Sequence, residues 1–233
     1  MMMSDFLTML PPGALMMIVA VGLVLVQHHA RQVVMLLAIA GSAFSLTVGA
    51  GQHLTVGLLG FDMVLYRADH LSLPFAIVFH IAAALNVFYG WHEKRATDHV
   101  AGLAYAGAAI AALHAGDLIT LFIWWEATAI TSVFLILASG TQRARYAAMR
   151  YLIIQVASGV LLLAGAAMLF SETGSLAFAA MTLGSTASWL IFIAFGIKAA
   201  FPLLNGWLQD AYPEATVVGT VVLSAFTTKL AIY

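Results

Sequence analysis

The chain has 233 residues, 63% hydrophobic and 8% charged, with a net charge of −1. A soluble domain carries about 25% charged residues, so this composition implies an all-α integral membrane protein set in a lipid bilayer. No basic cluster is present, which argues against nucleic-acid binding; no cysteine is present, which excludes disulfides, thiol chemistry and cysteine-held iron–sulfur clusters.

Taken in order, the sequence divides into about eight apolar spans. The opening MMMSDFLTMLPPG has no basic segment ahead of its apolar run and reads as mature sequence, not a cleaved signal. A short first span is expected over Gly13 to Val26, then a loop with His28, His29, Arg31 and Gln32. Val33 to Gly51 is the second span. The connection Gln52 to His70 contains TVGLLGFDMVLYRAD, which suits a hairpin lying on the membrane surface. Leu71 to Gly90 is the third span, and WHEKRATDH is a charged loop. Val100 to His114, rich in glycine and alanine, is the fourth. A tight Ala-Gly-Asp turn leads into the fifth, Leu118 to Ser139. GTQRARYAAMR reads as a loop before the sixth, Tyr151 to Phe170. The seventh starts at Ser188, and Thr216 to Tyr233 is the eighth. Most of these approach the roughly 20 residues needed to cross the hydrocarbon.

The loops after spans one, three and five hold six of the nine Lys/Arg, and the opposite side holds only Arg67. The positive-inside rule then places the N-terminus outside and those three loops in the cytoplasm.

Three ionisable residues fall inside spans. Glu126 sits in LFIWWEATAITSVFLI, Lys198 in IFIAFGIKAAFPLLNG and Lys229 in VVLSAFTTKLAIY. A charge in mid-membrane costs about 2.5–3.5 kcal/mol on insertion scales, and such residues mark ion or proton relays. Pro202, four residues past Lys198, has no N–H to offer the Lys198 carbonyl and crowds it, so the seventh span is expected to break there. The helical neighbours of Glu126 offer no positive charge, so its partner must come from another helix, and Lys198 is the candidate in kind. The competing reading is a structural ion pair that locks two helices. Lys229, near the end of the sequence, has snorkelling to the interface as its alternative. His80, Asn86 and His114 are accessory relay candidates, weighed against ordinary helix-to-helix hydrogen bonds. Asp210 and Glu214 read either as the mouth of a proton path or as a solvated turn, with Thr216 as an N-cap. Trp124 and Trp125 read as packing or interface anchors, with no chemistry assigned.

Three segments, FIWWEATAITSVFLI, RYLIIQVASGVLLLAG and GIKAAFPLLNGWLQDAYPEAT…GTVVLSAFTTKLAIY, together resemble the antiporter-like proton-conducting membrane subunits. That family includes the D-type member of the multi-subunit Mrp sodium/proton antiporters and the proton-pumping membrane subunits of NADH:quinone oxidoreductase. The closing segment leans toward the D-type Mrp branch. The resemblance makes Glu126 the family's fifth-helix glutamate, Lys198 the lysine of its broken seventh helix, and Lys229 its eighth-helix lysine. Leu204 or Asn205 stands where many members have a histidine, and Gln209 where they have a proline. Members have about fourteen spans built from two inverted five-helix repeats. This sequence is therefore expected to hold a three-helix segment, 1–99, and the first repeat, 100–233, with the second repeat absent.

The function so implied is a proton-conducting subunit of a multi-subunit monovalent cation (sodium)/proton antiporter in a bacterial inner membrane. Moving the Glu126 carboxylate toward or away from Lys198 would gate proton uptake and release. The partners expected are other membrane subunits, protons and sodium or another monovalent cation. No cofactor, metal or covalent catalysis is expected. The alternatives are a translocating subunit of a respiratory-type complex, without its own redox centre, and a structural membrane scaffold.

Overall fold

A computed structural model describes residues 11–47, 53–58 and 61–233. The reading of the N-terminal MMMSDFLTML and of the end of the second span lies outside the described residues.

Helix α1, Ala14–Gly22, runs into a 3-10 turn, Leu23–Leu25. Only Val26 and Gln27 separate it from α2, His28–Phe44, which ends in the 3-10 turn Ser45–Thr47. His28, His29, Arg31 and Gln32 thus lie in the first five residues of α2 and not in a loop; the Arg31 guanidinium folds back to donate to the Val26 carbonyl at 2.9 Å. Strands β1, His53–Leu58, and β2, Phe61–Arg67, pair antiparallel from His53↔Arg67 to Leu58↔Phe61. The chain is therefore not all-α. β-Branched and aromatic residues such as Thr55, Val56, Val64 and Tyr66 suit the two strands. It docks on protein: the Arg67 N–H donates to the His114 carbonyl at 2.7 Å and the Gly116 N–H to the Val64 carbonyl at 3.0 Å.

Helix α3 spans Ser72–Tyr89, and α4 spans Ala96–Leu113. Nearly every residue of α4 is buried, as its glycines and alanines allow, because small side chains let neighbouring backbones approach. It packs against α1, α2, α3, the following α5, and the last helix. Helix α5, Leu118–Leu137, starts on Asp117, whose carboxylate accepts from the N–H groups of Ile119 at 2.9 Å and Thr120 at 2.8 Å.

Helix α6, Gln142–Thr173, is 32 residues long. At 1.5 Å per residue that is about 48 Å, longer than the roughly 30 Å of hydrocarbon an upright span crosses. The stretch read as the GTQRARYAAMR loop is mostly the start of this helix. Thr141 caps it by accepting from Ala144 N–H at 3.0 Å, and the arginines ride on its first turns. Helix α7, Thr186–Lys198, opens with a Ser185–Ser188 capping box. Helix α8, Gly206–Ala211, passes into the 3-10 turn Tyr212–Glu214. Helix α9, Val217–Ile232, is capped by Thr216, which accepts from Gly219 N–H at 2.9 Å.

Among the described residues, four helical segments are long and apolar enough to cross a membrane: His28–Thr47, Ser72–Tyr89, Leu118–Leu137 and Gln142–Thr173. Ala14–Leu25, Thr186–Lys198 and Val217–Ile232 are shorter apolar helices. The basic connections meet at one end of the bundle. Arg31 reaches the Lys94 carbonyl, Arg95 the Ala138 carbonyl, and Arg143 the Glu214 carboxylate. Arg67 lies at the other end, over the Phe178 ring.

Candidate functional site

The site forms where α5, α6 and α7 cross. Residues 125 and 126 of α5 point to different neighbours. Trp125 is fully buried and faces α7, its ring 4.7 Å from that of Phe195. Glu126 turns toward α6 and rests against Gly159, close enough that a Cβ there would overlap its Oε1. The two helices also meet through Ser132 and Tyr151, whose hydroxyls lie 2.8 Å apart.

Helix α7 ends on Lys198, and Ala199 to Asn205 are non-helical before α8. The Phe201 N–H returns to the Gly196 carbonyl at 2.9 Å, and Ala200 N–H to the Ile197 carbonyl at 3.1 Å. Ala200 and Leu203 take left-handed backbone angles, φ 58° and 72°, which cost an L-residue about 1–2 kcal/mol each. Pro202 sits between them, past the helix end. The turn is held from below by Trp207, whose indole N–H donates to the Ile197 carbonyl at 2.9 Å.

Lys198 is 1% exposed. Its ammonium donates to the Trp125 carbonyl at 3.2 Å and stands 4.7 Å from the centre of the Trp125 ring. Thr128 donates to the same carbonyl at 2.6 Å. No ion pair joins Lys198 to Glu126: the Glu126 Oε1 is buried and has no hydrogen-bond partner. The expected partnership of these two residues is therefore not a direct contact; Trp125 holds the lysine in place of the carboxylate. On the facing side of α6, Gln155 is fully buried with both amide atoms unpartnered, and the Trp125 indole N–H is unpartnered too.

The remaining expected residues are dispersed. Lys229, on α9, is exposed on the outside of the described bundle and donates to the Ser224 carbonyl at 2.5 Å. Thr227, on the inner face of α9, meets the Tyr105 hydroxyl of α4, which also accepts from Thr227 N–H at 2.9 Å. His80 shares a 2.9 Å hydrogen bond with Ser42 across α3 and α2, the helix-to-helix role set against a relay role. His114 bonds the Ile110 carbonyl at 2.9 Å and stacks on Tyr66. Asp210 pairs with Arg150 at 3.3 Å, and Glu214 with Arg143 at 3.5 Å. Both pairs are solvent-facing, a geometry worth about 0–1 kcal/mol.

Three residues packed around Glu126 and Lys198 were not singled out by sequence reasoning. Gln155 had a readable signal, a polar amide in an apolar run. Trp125 had none, since it acts on Lys198 partly through a backbone carbonyl. Tyr151 reads as a span boundary yet lies buried against Ser132.

Residues 115–233 match the family model described as NADH:quinone oxidoreductase/Mrp antiporter, TM. NAD(P)H-quinone oxidoreductase chain 4 1 of Synechococcus elongatus is 30% identical over 176 residues, covering 71% of this chain and 33% of the relative. The protein of that name from Synechococcus sp. (strain JA-2-3B'a(2-13)) is 29% identical over 202 residues, 82% of this chain and 38% of its own. The chain thus spans about a third of the length of the curated relatives it matches. Among solved structures, a chain of the Mrp complex from Dietzia sp. DQ12-45-1b superposes with a TM-score of 0.81 at 22% identity, over 100% of this chain and 48% of that one. A chain of the membrane-bound sulfane sulfur reductase, an archaeal respiratory membrane complex, gives 0.81 at 22% identity, over 96% and 39%. A chain of respiratory complex I from Thermus thermophilus gives 0.75 at 21%, over 94% and 52%. These likenesses establish the shared fold, and with the matched segment they place the sequence: the chain belongs to the NADH:quinone oxidoreductase/Mrp antiporter transmembrane family.

Proposed function

We propose that the chain is a proton-conducting subunit of a multi-subunit membrane complex, and that Lys198 is its central proton carrier. One observation carries this reading. Lys198 is buried at the end of a helix that stops in mid-bundle, and it is held by a carbonyl and an aromatic face, with no carboxylate in contact. A lysine kept as a structural lock would be expected to sit on its counter-ion. Here the ammonium is held only by neutral groups, and the hydrogen bond to the Trp125 carbonyl can be kept by an amine N–H after the proton has left. Glu126 supplies a charge nearby whose carboxyl is unbonded at Oε1 and therefore able to move. The unpartnered atoms of Gln155 and Glu126 offer sites for water between α5 and α6, since a dry unpaired group costs about 1–3 kcal/mol. Lys229 lies on the outer face, where a further membrane subunit or repeat would cover it and receive the proton.

Within this reading the chain has eight spans, the segment before residue 100 flanks a five-helix repeat over 100–233, and α7 and α8 are two halves of one broken helix. The N-terminus lies outside a bacterial inner membrane. The coupled process is sodium or other monovalent cation/proton antiport. The curated relatives favour a second reading, a translocating subunit of a respiratory-type complex that has its redox centres elsewhere.

The test is proton flux in vesicles containing the whole complex, with subunit levels checked by blotting. Lys198→Ala should abolish flux with assembly intact. Lys198→Arg should also fail, because arginine keeps its proton. Transport by Lys198→Arg at the wild-type level would return the residue to a structural role. Glu126→Gln should impair flux more than Glu126→Asp.

A further inference from the structure

We propose that a second polar site, independent of Lys198, holds one internal water molecule between α3, α4 and α9, bridging Asn86 to Asp98. A cavity of about 20 Å³ lies there, lined by Asn86 and Val87 of α3, Asp98 and Gly102 of α4, and Val218 and Val222 of α9. A single water needs about 10–15 Å³ of such space and two to four polar partners. The partners are present and complementary. Asp98 is 2% exposed; its Oδ1 accepts from the Thr216 hydroxyl at 2.6 Å, while its Oδ2 is buried without a hydrogen bond. The Nδ2 of Asn86 is buried and likewise unbonded. A donor and an acceptor, both unsatisfied, line one water-sized space. Water accepts from the first and donates to the second, which removes two desolvation penalties at once. His99, which also lines the cavity, is already engaged with the Glu93 carbonyl at 2.8 Å.

The water completes a chain from Asn86 through Asp98 to Thr216, and Thr216 caps the helix that carries Lys229. The site is thus a polar clasp that fixes the start of α9 to α3 and α4. The proposal does not rest on the role given to Lys198, and its failure would leave that role untouched.

The experiment is an infrared difference spectrum of the chain, in the assembly with which it purifies, between H2-16O and H2-18O. A single water held by a carboxylate should give a sharp isotope-shifted O–H band, and Asn86→Leu should abolish it. Gly102→Ala provides a variant that should still fold: a Cβ there meets only the Val222 methyls, at 3.8 Å, and its methyl takes the water's space. Loss of the band in both variants supports the site. Absence of the band in the unaltered chain, or a band unchanged in Gly102→Ala, overturns it.

Discussion

The Lys198 ammonium donates to the Trp125 carbonyl at 3.2 Å and stands over the ring of the same residue at 4.7 Å. One residue of α5 thus holds the lysine of α7 twice, and only the ring can be removed by mutation. A desolvated cation–π contact contributes about 2 kcal/mol. Trp125→Leu should therefore leave α5 helical but lower flux through the complex roughly tenfold, the equivalent of about 1.4 kcal/mol. Trp125→Phe should lose less, because an aromatic face remains and the lost indole N–H has no partner here. Equal flux in Trp125→Leu and the wild type would mean that the ring only fills space.

Asp117 joins the hairpin to the bundle. Its Oδ1 caps α5, while its Oδ2 accepts from Val64 N–H at 2.7 Å and the Thr120 hydroxyl at 2.8 Å. Asp117→Ala removes the cap and an anchor of β2 together, and should cost about 2–4 kcal/mol. Asp117→Asn should fall between, because its amide N–H₂ cannot accept from Val64. Thermal unfolding of the three proteins in nanodiscs checks the order; the hairpin should become protease-sensitive first.

How far these features could be read from sequence depends on what carries each one. Lys198 and Glu126 stand out because a charge in an apolar run is costly wherever the helix points. The hairpin was legible from its β-branched and aromatic residues. Two other features were hidden by their surroundings. The start of α6 was masked by arginines that look like a loop, although the Thr141 cap is a readable start signal. Asp98 was lost in the charged WHEKRATDH stretch, and only the packing of α4 against α9 shows that it is buried. The hold of Trp125 on Lys198 depends on how α5 crosses α7, and a backbone carbonyl has no sequence signal.

Glu93 gives the stability of the basic end a pH dependence. Its carboxylate accepts from the backbone N–H groups of Arg95 at 3.0 Å and Lys94 at 2.8 Å. The Arg95 N–H is the main cause that holds this carboxyl below its ordinary value of 4.5, although partial burial opposes it. A lowered carboxyl stabilises the fold fully above the unfolded value and loses that contribution as pH falls through the folded one. Glu93→Gln should therefore lower the melting temperature at pH 7, and the gap to the wild type should close as pH drops below 4.5. A gap that stays constant across that range would show that the carboxylate charge is not what matters.

Two glycines of α6 separate the Glu126 contact, to which the proposed relay gives a role in flux, from a packing contact. At Gly165 an added Cβ meets the Ile191 side chain at 2.7 Å and the Ala187 carbonyl at 3.0 Å. That neighbour is partly backbone, so α6 and α7 must move apart; overpacking of this kind costs about 1–3 kcal/mol. At Gly159 the added Cβ overlaps the Glu126 carboxylate, the far end of a flexible side chain, and meets Phe122 only at 3.4 Å. The carboxylate can swing away while the helices stay. Alanine also favours the helix over glycine by about 1 kcal/mol in both variants. Gly165→Ala should thus reduce the amount of assembled protein. Gly159→Ala should assemble normally and lose flux as Glu126→Gln does, because its carboxylate is present but displaced. The pair is read by blotting for assembly and by vesicle flux for transport. If Gly159→Ala transports like the wild type while Glu126→Gln does not, the charge of Glu126 matters but its seat against α6 does not.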